Sequence, residues 1–493
     1  MPPRNGKKRI GANIMCGIVG LIAPPGKQAD QSIIARMRHL TLRRGPDDNG
    51  YASVDFSKGK IRTGDTTNPG SLQLGFTRLS IRDLSHRAHQ PMTGNDNQCV
   101  LVFNGEIYNT NELIREHLKD TPLKSSSDTE IVLKLCIKLG VQHTLQILDG
   151  MFALAFYNGI SRKLTLARDR FGIKPLYYTK WNGFIAFASE IKPILKSGLI
   201  PTEFDSDALS ELALFRYVAD PNTPFKNVNC LPPGNLIQIN TDGQLGMRNY
   251  WSPAYKRSNE LSKRSAEENK ERFSEILERC VQSQLVADVE VGLELSGGID
   301  SSLVAWAAKN SQLTGYSAIP NSTEFSEEPY IDKISNVTGI STNKRLLTPD
   351  NIAASLGNVA YHHETPINHE GSIGIYQVCK LAKSEGVSVL LSGEGADELF
   401  AGYRRYGLVH QRLSRARLVA KFTSTINRWL PRRLQTANQI WRDRESWLIL
   451  TTAYGAPHLV KPLFPDADIS NAIQRRLHHT KEFNWNKFDE SHL

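Results

Sequence analysis

The amino-acid sequence predicts two architectures in series: an α+β half whose strands stack as sheets, then an α/β half built on a parallel sheet. Three observations carry this reading. Short apolar runs punctuated by turn residues crowd the segment up to Ala188, among them Val100–Phe103, Phe152–Tyr157, Leu164–Ala167 and Phe184–Ala188, and runs of that length mark strands. Beyond Trp251 apolar strands alternate with helical stretches, the pattern of a parallel sheet. Two of those strands run straight into Gly-rich strings, Ser296-Gly297-Gly298 and Ser392-Gly393-Glu394-Gly395, and both strings open at the strands' carboxyl edge, where such sheets bind ligands.

At 493 residues the chain exceeds what one hydrophobic core serves and predicts two to four domains. A hydrophobic fraction of 40% and a charged fraction of 22% are those of a soluble globular protein. The six cysteines (Cys16, Cys99, Cys136, Cys230, Cys280, Cys379) form no C-x-x-C pair, which argues against a zinc site or a disulfide framework and for a reducing, cytoplasmic setting. Net charge is +10, with Arg and Lys dense between Arg404 and Arg444 and Trp429, Trp441 and Trp447 nearby. No recognition motif accompanies them, so a solvated helical face is the better reading and no nucleic-acid partner is expected. Lys7-Lys8-Arg9 before the apolar run Ile14–Ala23 imitates a signal peptide, but two glycines dilute the run and Pro24-Pro25 ends it. No stretch is long enough to span a membrane, and no membrane partner is expected.

Met15-Cys16-Gly17-Ile18-Val19-Gly20 reads as a buried strand beginning at a cysteine. A cysteine directly after a Met that can initiate translation can become the first residue, and its α-amine, with a pKa near 8, then serves as the base for its own thiol. Arg43–Asp47 is a charged turn, Leu74–Ile81 a strand carrying Arg78, and Val100–Phe103 a strand running into Asn104-Gly105-Glu106. Ser126–Glu130 caps a helix that begins at about Ile131. Between Phe204 and Trp251 turn residues dominate, which predicts a crossover between domains, and Ser265–Leu285 reads as a long amphipathic helix. Leu313–Ile319 and Val387–Leu391 read as strands, and Glu327–Thr338 as a helix.

Within Val289–Lys309 a strand pattern breaks at Ser296-Gly297-Gly298 and a helical pattern resumes. Glycines let backbone amides approach a ligand together with the positive end of the helix, so the loop suits an anion, and Ser296, Ser301 and Ser302 add hydroxyls. The Lys of a kinase-type loop is lacking, and Asp300 stands where a carboxylate makes sense as a Mg²⁺ ligand. Ser-Gly-Gly-Ile-Asp-Ser-Ser resembles the pyrophosphate loop of the ATP pyrophosphatase group, enzymes that split ATP between its α and β phosphates. His362-His363 and His369 lie near Glu364 and Glu370, yet their spacing matches no zinc signature and reads as a loop with incidental histidines.

Cys16–Gly20, Arg43–Asp47, Arg78–Ile81, Asn104–Asn109, Ser127–Glu130 and the string RDRFGIKPLYY at Arg168–Tyr178 resemble the glutaminase domain of glutamine-hydrolysing asparagine synthetases, and the match covers nearly all of Met15–Leu199. SGEGADELFAGYRRY, which begins at Ser392, is similar to that family's second signature. The resemblance implies an N-terminal-nucleophile sandwich of two antiparallel sheets between helices, then an ATP pyrophosphatase-like parallel sheet with a helical C-terminal part. It implies domains at 16–220 and 246–493, a linker at 221–245, and an extension or mis-assigned start at 1–15. Cys16 would be the nucleophile, with Asn104 and the Gly105 amide as oxyanion hole. Arg78 and Ile81 would hold glutamine with Asn104, Asp128 and Glu106. ATP would contact Leu295, Ser296, Gly297, Gly298, Asp300, Ser301, Ser302, Ala318, Ser392 and Gly393. Asp300 and Asp397 would share Mg²⁺, and Glu394 would act in acyl-adenylate formation. Glu106 and Arg44 paired with each other or with neighbours remains an open alternative.

The resemblance implies an ATP-dependent amidotransferase that turns aspartate into asparagine with ammonia from glutamine, with a homodimer as a possible assembly. Two other readings stay open: a sugar or uronate carboxylate as acceptor, and a synthetase-dead regulatory or binding protein with at most glutaminase activity. Two departures from the family pattern stand out. The residues before Met15 would block the α-amine of Cys16 if retained, and the family's Lys-x-Asp-Arg-x-Ser-Met-like and Arg-x-Pro-Phe-Leu-Asp strings are not found before Leu493. On that count the chain as written is expected to be weak as a synthetase.

Overall fold

The computed structural model describes residues 15–64, 67–94, 96–253, 263–322, 324, 326–369, 371–400, 402–423 and 444–479. Lys7–Arg9, Glu370, Trp429 and Trp441 lie outside them, as does most of the stretch read as an N-terminal extension.

Two antiparallel sheets face each other. The seven-stranded sheet runs Asn229–Cys230, Tyr177–Trp181, Phe184–Ala188, Gly17–Ile22, Leu72–Arg78, Asp48–Asp55, Lys60–Gly64. The six-stranded sheet runs Leu245–Asn249, Asn235–Ile239, Lys163–Arg168, Gly150–Asn158, Cys99–Ile107, Met92–Gly94. Side chains alternate across a strand. Val100 and Val102 therefore point into the sandwich with Ile18, Leu74, Phe76 and Leu166, while Leu101 and Phe103 point outward onto Ile131, Val132 and Leu135 of the helix Asp128–Leu139. Burial on both faces explains why Val100–Phe103 is apolar without interruption. Each such side chain contributes about 1.5–3 kcal/mol, so a slip of one residue, which exchanges the faces, is strongly disfavoured.

The stretch read as a linker is corrected in part. Asn235–Ile239 pairs with Lys163–Arg168 and with Leu245–Asn249, so these residues spend their backbone hydrogen bonds in the sandwich. The turn residues Thr241-Asp242-Gly243 that suggested a loop are the hairpin joining those two strands.

The third sheet is parallel, in the order Thr342–Leu347, Thr314–Pro320, Val291–Glu294, Val389–Leu391. Its neighbouring strands align Leu293 with Leu391 and with Gly315. The helix Ala266–Gln284 begins with a reciprocal cap between Ser265 and Glu268. The histidine reading is also corrected: His362 and His363 form the last turn of the helix Pro349–His363, and Glu364 ends it in the left-handed conformation.

By contacts the chain divides into two compact units, Met1–Thr202 with Asn227–Ser392, and Glu203–Lys226 with Gly393–Leu493. In the second unit the helix Ser206–Phe215 packs against Arg444–Thr451, Pro457–Val460 and Ile469–His479 around Leu214, Phe215, Val460 and Ala472. Glu211 is wholly buried there, 3.2 Å from Arg476 and 3.5 Å from Arg475. Arg412, Arg415 and Arg417 are exposed along the helix Arg404–Thr423. No helix among the described residues is long and apolar enough to cross a membrane.

Candidate active site

Cys16 stands immediately before the strand Gly17–Ile22 and is half-buried against the sandwich core. Its Sγ lies 3.4 Å from the Leu79 amide, which donates to it, and 3.6 Å from the Leu79 carbonyl. Arg44 Nε donates to the Cys16 carbonyl at 2.9 Å, and Arg44 pairs with Glu190 at 3.4 Å. This resolves the alternative left open for Arg44, whose carboxylate partner is Glu190. Burial pushes the Cys16 thiol up to about 11, and Glu106 adds to this; the Leu79 amide, Arg78 and Arg44 pull the other way.

Asn104 and Glu106 share the inward face of the strand Cys99–Ile107, because they follow Val102 at a spacing of two. Asn104 is buried and its Nδ2 has no hydrogen-bond partner among the described residues. A buried amide donor left unsatisfied is costly and is here a donor in waiting. At Gly105 an added Cβ would lie 2.4 Å from the Met151 carbonyl and 2.6 Å from the Phe152 Cβ, so only glycine fits.

Arg78 is buried at the end of its strand and donates to three carbonyls, those of Arg82 (3.0 Å), Ser85 (3.3 Å) and Asp83. The loop 82–85 thus fixes the guanidinium. Asp128 begins its helix and accepts the Ile107 amide at 3.1 Å. Burial raises the pKa of both Glu106 and Asp128, and the Asp128 charge raises Glu106 further; Arg82 and Arg78 partly offset this for both. Arg78 and Glu106 are therefore within electrostatic reach of Cys16, and Arg78 and Asp128 within reach of Glu106. Ile81 contributes its carbonyl elsewhere, accepting the Asp288 amide at 2.9 Å.

Sequence reasoning missed Arg82, Lys174 and Asp169. Arg82 Nη1 donates to the Ile107 carbonyl at 2.8 Å from a turn without periodicity. Asp169 accepts the amides of Phe152, Phe171, Ile173 and Lys174, which folds the RDRFGIKP segment into a tight turn. That turn buries Lys174, whose Nζ donates to Met15 Sδ at 3.0 Å. Burial, with Arg44 adding to it, depresses the lysine to about 8. Both Asp169 and Lys174 lie in the string RDRFGIKPLYY, where no period marks their burial. Asp48, His86 and His89 also gather, with His89 Nδ1 2.7 Å from the Asp48 carboxylate and the two imidazoles tilted together at 4.8 Å.

In the parallel sheet, Leu295 extends the Val291–Glu294 strand by donating to Tyr316, and the chain then turns through Gly297 at φ +80°. A side chain at Gly297 would be strained by that backbone and would press on the Tyr330 Cβ at 3.0 Å. Gly298 is the N-cap of the helix Ile299–Ala307 and offers no side-chain cap. Ser296 and Ser301 hold each other's hydroxyls at 3.0 Å, and Ser296 also takes the Gly298 amide. Both hydroxyls thus brace the loop. Asp300 and Ser302 lie in the first turn of the helix, and Ala318 is half-buried on the neighbouring strand. Ser392 follows the strand Val389–Leu391 in the first unit; Gly393, Glu394 and Asp397 belong to the second, Asp397 in the short helix Ala396–Phe400.

Residues 15–251 match the family model described as glutamine amidotransferase domain, and residues 272–484 that described as asparagine synthase. The chain is 34% identical over 399 residues to glutamine-hydrolyzing asparagine synthetase 1 of Bacillus subtilis (strain 168), covering 80% of this chain and 59% of that protein. It is 33% identical to a putative glutamine-hydrolyzing asparagine synthetase of Mycobacterium bovis, covering 80% and 61%. Against putative glutamine-hydrolyzing asparagine synthetase 2 of Methanocaldococcus jannaschii it is 30% identical, covering 85% and 81%. The chain thus spans about three-fifths of the length of the first two relatives. With a half-buried cysteine just before the strand Gly17–Ile22 of an antiparallel sandwich and a glycine loop on a parallel sheet, the chain belongs to the glutamine-hydrolysing asparagine synthetase family.

Proposed function

We propose that the chain releases ammonia from glutamine at Cys16 and delivers it to a carboxylate activated as its adenylate by ATP, aspartate becoming asparagine. The observation that carries the reading is the charge cluster around Cys16: buried Arg78 acts on Cys16 and on the carboxyls of Glu106 and Asp128, and Glu106 acts on Cys16 as well. A zwitterion presenting carboxylate and ammonium matches it, and the Arg fork suits the carboxylate.

The steps follow. Sγ attacks the side-chain amide carbon; Asn104 Nδ2 and the Gly105 N–H take the negative charge that develops on oxygen. The thiol proton passes through a base to the leaving nitrogen, ammonia departs, and water hydrolyses the γ-glutamyl thioester to glutamate. A thiol held near 11 is almost entirely protonated at neutral pH, so the base is indispensable. In this mechanism it is the α-amine of Cys16 once that residue is first in the chain, which intact-mass analysis of the native protein checks.

For the second reaction the uncapped helix start at Gly298 suits the ATP phosphates. Ala318 and Leu295 flank the adenine side, and Ser392 and Gly393 follow the neighbouring strand. The acceptor carboxylate takes the adenylyl group as pyrophosphate leaves, ammonia attacks the acyl carbon, and AMP leaves. Asp300, a carboxylate beside that anion-binding turn, fits Mg²⁺, which when bound would neutralise phosphate charge. Glu394 and Asp397 keep the roles that the family string gives them, at the acyl-adenylate and at Mg²⁺.

The test is ammonia-dependent pyrophosphate release with aspartate and a panel of sugar and uronate carboxylates, beside glutamate release from glutamine. Aspartate-specific release is expected. Release with another carboxylate reassigns the acceptor, and glutamate formation with no pyrophosphate from any carboxylate rejects the synthetase half of the proposal.

A further inference from the structure

Glu364 follows the histidine pair His362-His363 in the sequence, but its side chain turns to a different part of the fold. It ends the helix Pro349–His363 and reaches the sandwich, where Oε2 accepts the Ile191 amide and Oε1 the Lys192 amide, both at 2.7 Å. These are the first amides of the helix Ile191–Leu195, whose N-cap, Glu190, makes no side-chain cap of its own. Lys192 Nζ adds an ion pair to Glu364 at 2.9 Å and donates to the Tyr361 carbonyl at 3.0 Å. The Glu364 side chain is 7% exposed, so this is a dry, charge-assisted junction.

The contacts continue toward the thiol. Glu190, freed from capping, lies 3.5 Å from Lys192 and 3.4 Å from Arg44, and Arg44 Nε holds the Cys16 carbonyl. On the other side, Gln377 of the helix Gly371–Ser384 donates to Ser355 (2.7 Å) and to the Asn351 carbonyl (3.2 Å) in the Glu364 helix. The helix Gly371–Ser384 also packs on the strand that bears Ala318. One unbroken set of contacts therefore joins the adenine-side strand to the backbone of Cys16.

A second junction ends at the other half of the glutamine site. Asp288, three residues before the strand that feeds the glycine loop, accepts the Asp83 amide at 2.7 Å and donates its own amide to Ile81 at 2.9 Å. The loop so pinned supplies the three carbonyls that orient Arg78. Asp83 in turn accepts the amide of Ser126, two residues before Asp128.

We propose that Glu364 and Asp288 are positioning residues through which the nucleotide-binding sheet sets the glutamine site. Glu364 governs the reacting cysteine and Asp288 the grip on the substrate carboxylate. The proposal rests on the glutaminase reading for its kinetic consequence, and on the contacts alone for its mechanical one.

The test uses the full chain with Glu364→Gln and Asp288→Asn. In Glu364→Gln one amide acceptor becomes a donor and the Lys192 ion pair is lost, with little change in volume. Its glutaminase kcat should fall about 10- to 100-fold at little changed KM, as expected for a displaced nucleophile. Asp288→Asn should instead raise KM for glutamine several-fold at nearly constant kcat. Hydrogen exchange and the rate of Cys16 alkylation by iodoacetamide give a readout that needs no glutaminase activity. In Glu364→Gln the Ile191 and Lys192 amides should exchange about tenfold faster and the alkylation rate should change, while the capped helix Ser206–Phe215 keeps its protection. A parent chain without glutaminase activity rejects the functional reading and leaves exchange and alkylation to judge the junction. Unchanged exchange and alkylation in Glu364→Gln overturns the proposal. So does equal loss of kcat and KM performance in both variants in step with a lower Tm, which would make both residues merely structural.

Discussion

The glutamine site proposed around Cys16 and the nucleotide loop proposed at Ser296–Gly298 would solve opposite problems with opposite materials. Around Cys16 the working groups are side chains, buried and held by other side chains and carbonyls: Arg78 by three carbonyls, Asp128 by the Ile107 amide, Arg44 by Glu190. At the proposed nucleotide loop the working groups would be backbone amides of the helix start that follows Gly298, with the serine hydroxyls bracing the turn. A small zwitterion must be told from other amino acids, which calls for fixed charges at fixed separations. A triphosphate presents charge at every oxygen, and a helix N-terminus meets it without choosing a side chain. Substitutions should therefore act sharply at the first site and gently at the loop's side chains.

The largest contrast is expected from Cys16→Ala. Glutamate release from glutamine should fall by at least about a thousandfold, the usual cost of deleting a nucleophile, while ammonia-dependent pyrophosphate release stays near the parent rate. Loss of both in a folded variant would break the separation of the two sites.

Asn104→Ala comes next. Removing an oxyanion donor costs about 10²- to 10³-fold in kcat, and because Nδ2 has no other partner among the described residues, Tm should not fall with it. A fall in Tm with unchanged kcat would show Asn104 to be a structural residue.

Asp300→Asn tests the other site through its one charged member in the first helical turn. Pyrophosphate release should drop by roughly one to two orders of magnitude, as loss of a metal ligand implies, and should recover in part at higher Mg²⁺. Glutamine hydrolysis should be unaffected. An unchanged rate at limiting Mg²⁺ would remove Asp300 from the loop's chemistry.

The pH dependence sharpens the electrostatic half. Burial raises Glu106 and Asp128 in the free protein, so part of the pair carries a proton near neutrality. An arriving ammonium group favours the ionised form. Binding must then release a proton, and affinity for glutamine should rise as pH increases through the neutral range, levelling once the pair is ionised without ligand. Calorimetry in buffers of different ionisation enthalpy, done on Cys16→Ala to prevent turnover, measures the proton count; proton uptake would reverse the assignment.

The smallest effect belongs to Ser302→Ala. In the proposed ATP site its hydroxyl would stand beside amides that meet the phosphates, so KM for ATP should shift only by the few-fold that about 0.5–1.5 kcal/mol allows. A hundredfold loss would mean that the loop, like the glutamine site, depends on individual side chains.

Local pattern alone reached far in this chain. Apolar runs such as Val100–Phe103 and the break at Ser296–Gly298 announced strands and a loop because strand period and glycine geometry are properties of a few neighbouring residues. Cys16, Arg78 and Asn104 lie at the ends of such runs, but the roles proposed for them come from likeness to the family's glutaminase motifs and not from period. What stayed hidden depended on partners distant in sequence. Asn235–Ile239 became a strand because Lys163–Arg168 offered an unpaired edge, and its turn-rich surroundings hid that. Ser301 became a brace because Ser296 folds back on it. Glu364 became a cap for a helix 173 positions away, beyond the reach of any local spacing. The sequence by itself determined which residues can do chemistry, through residue type and short-range period. Only the tertiary structure decided how Lys174 and Arg82 enter the site, because burial and charge proximity exist only once separate strands pack together.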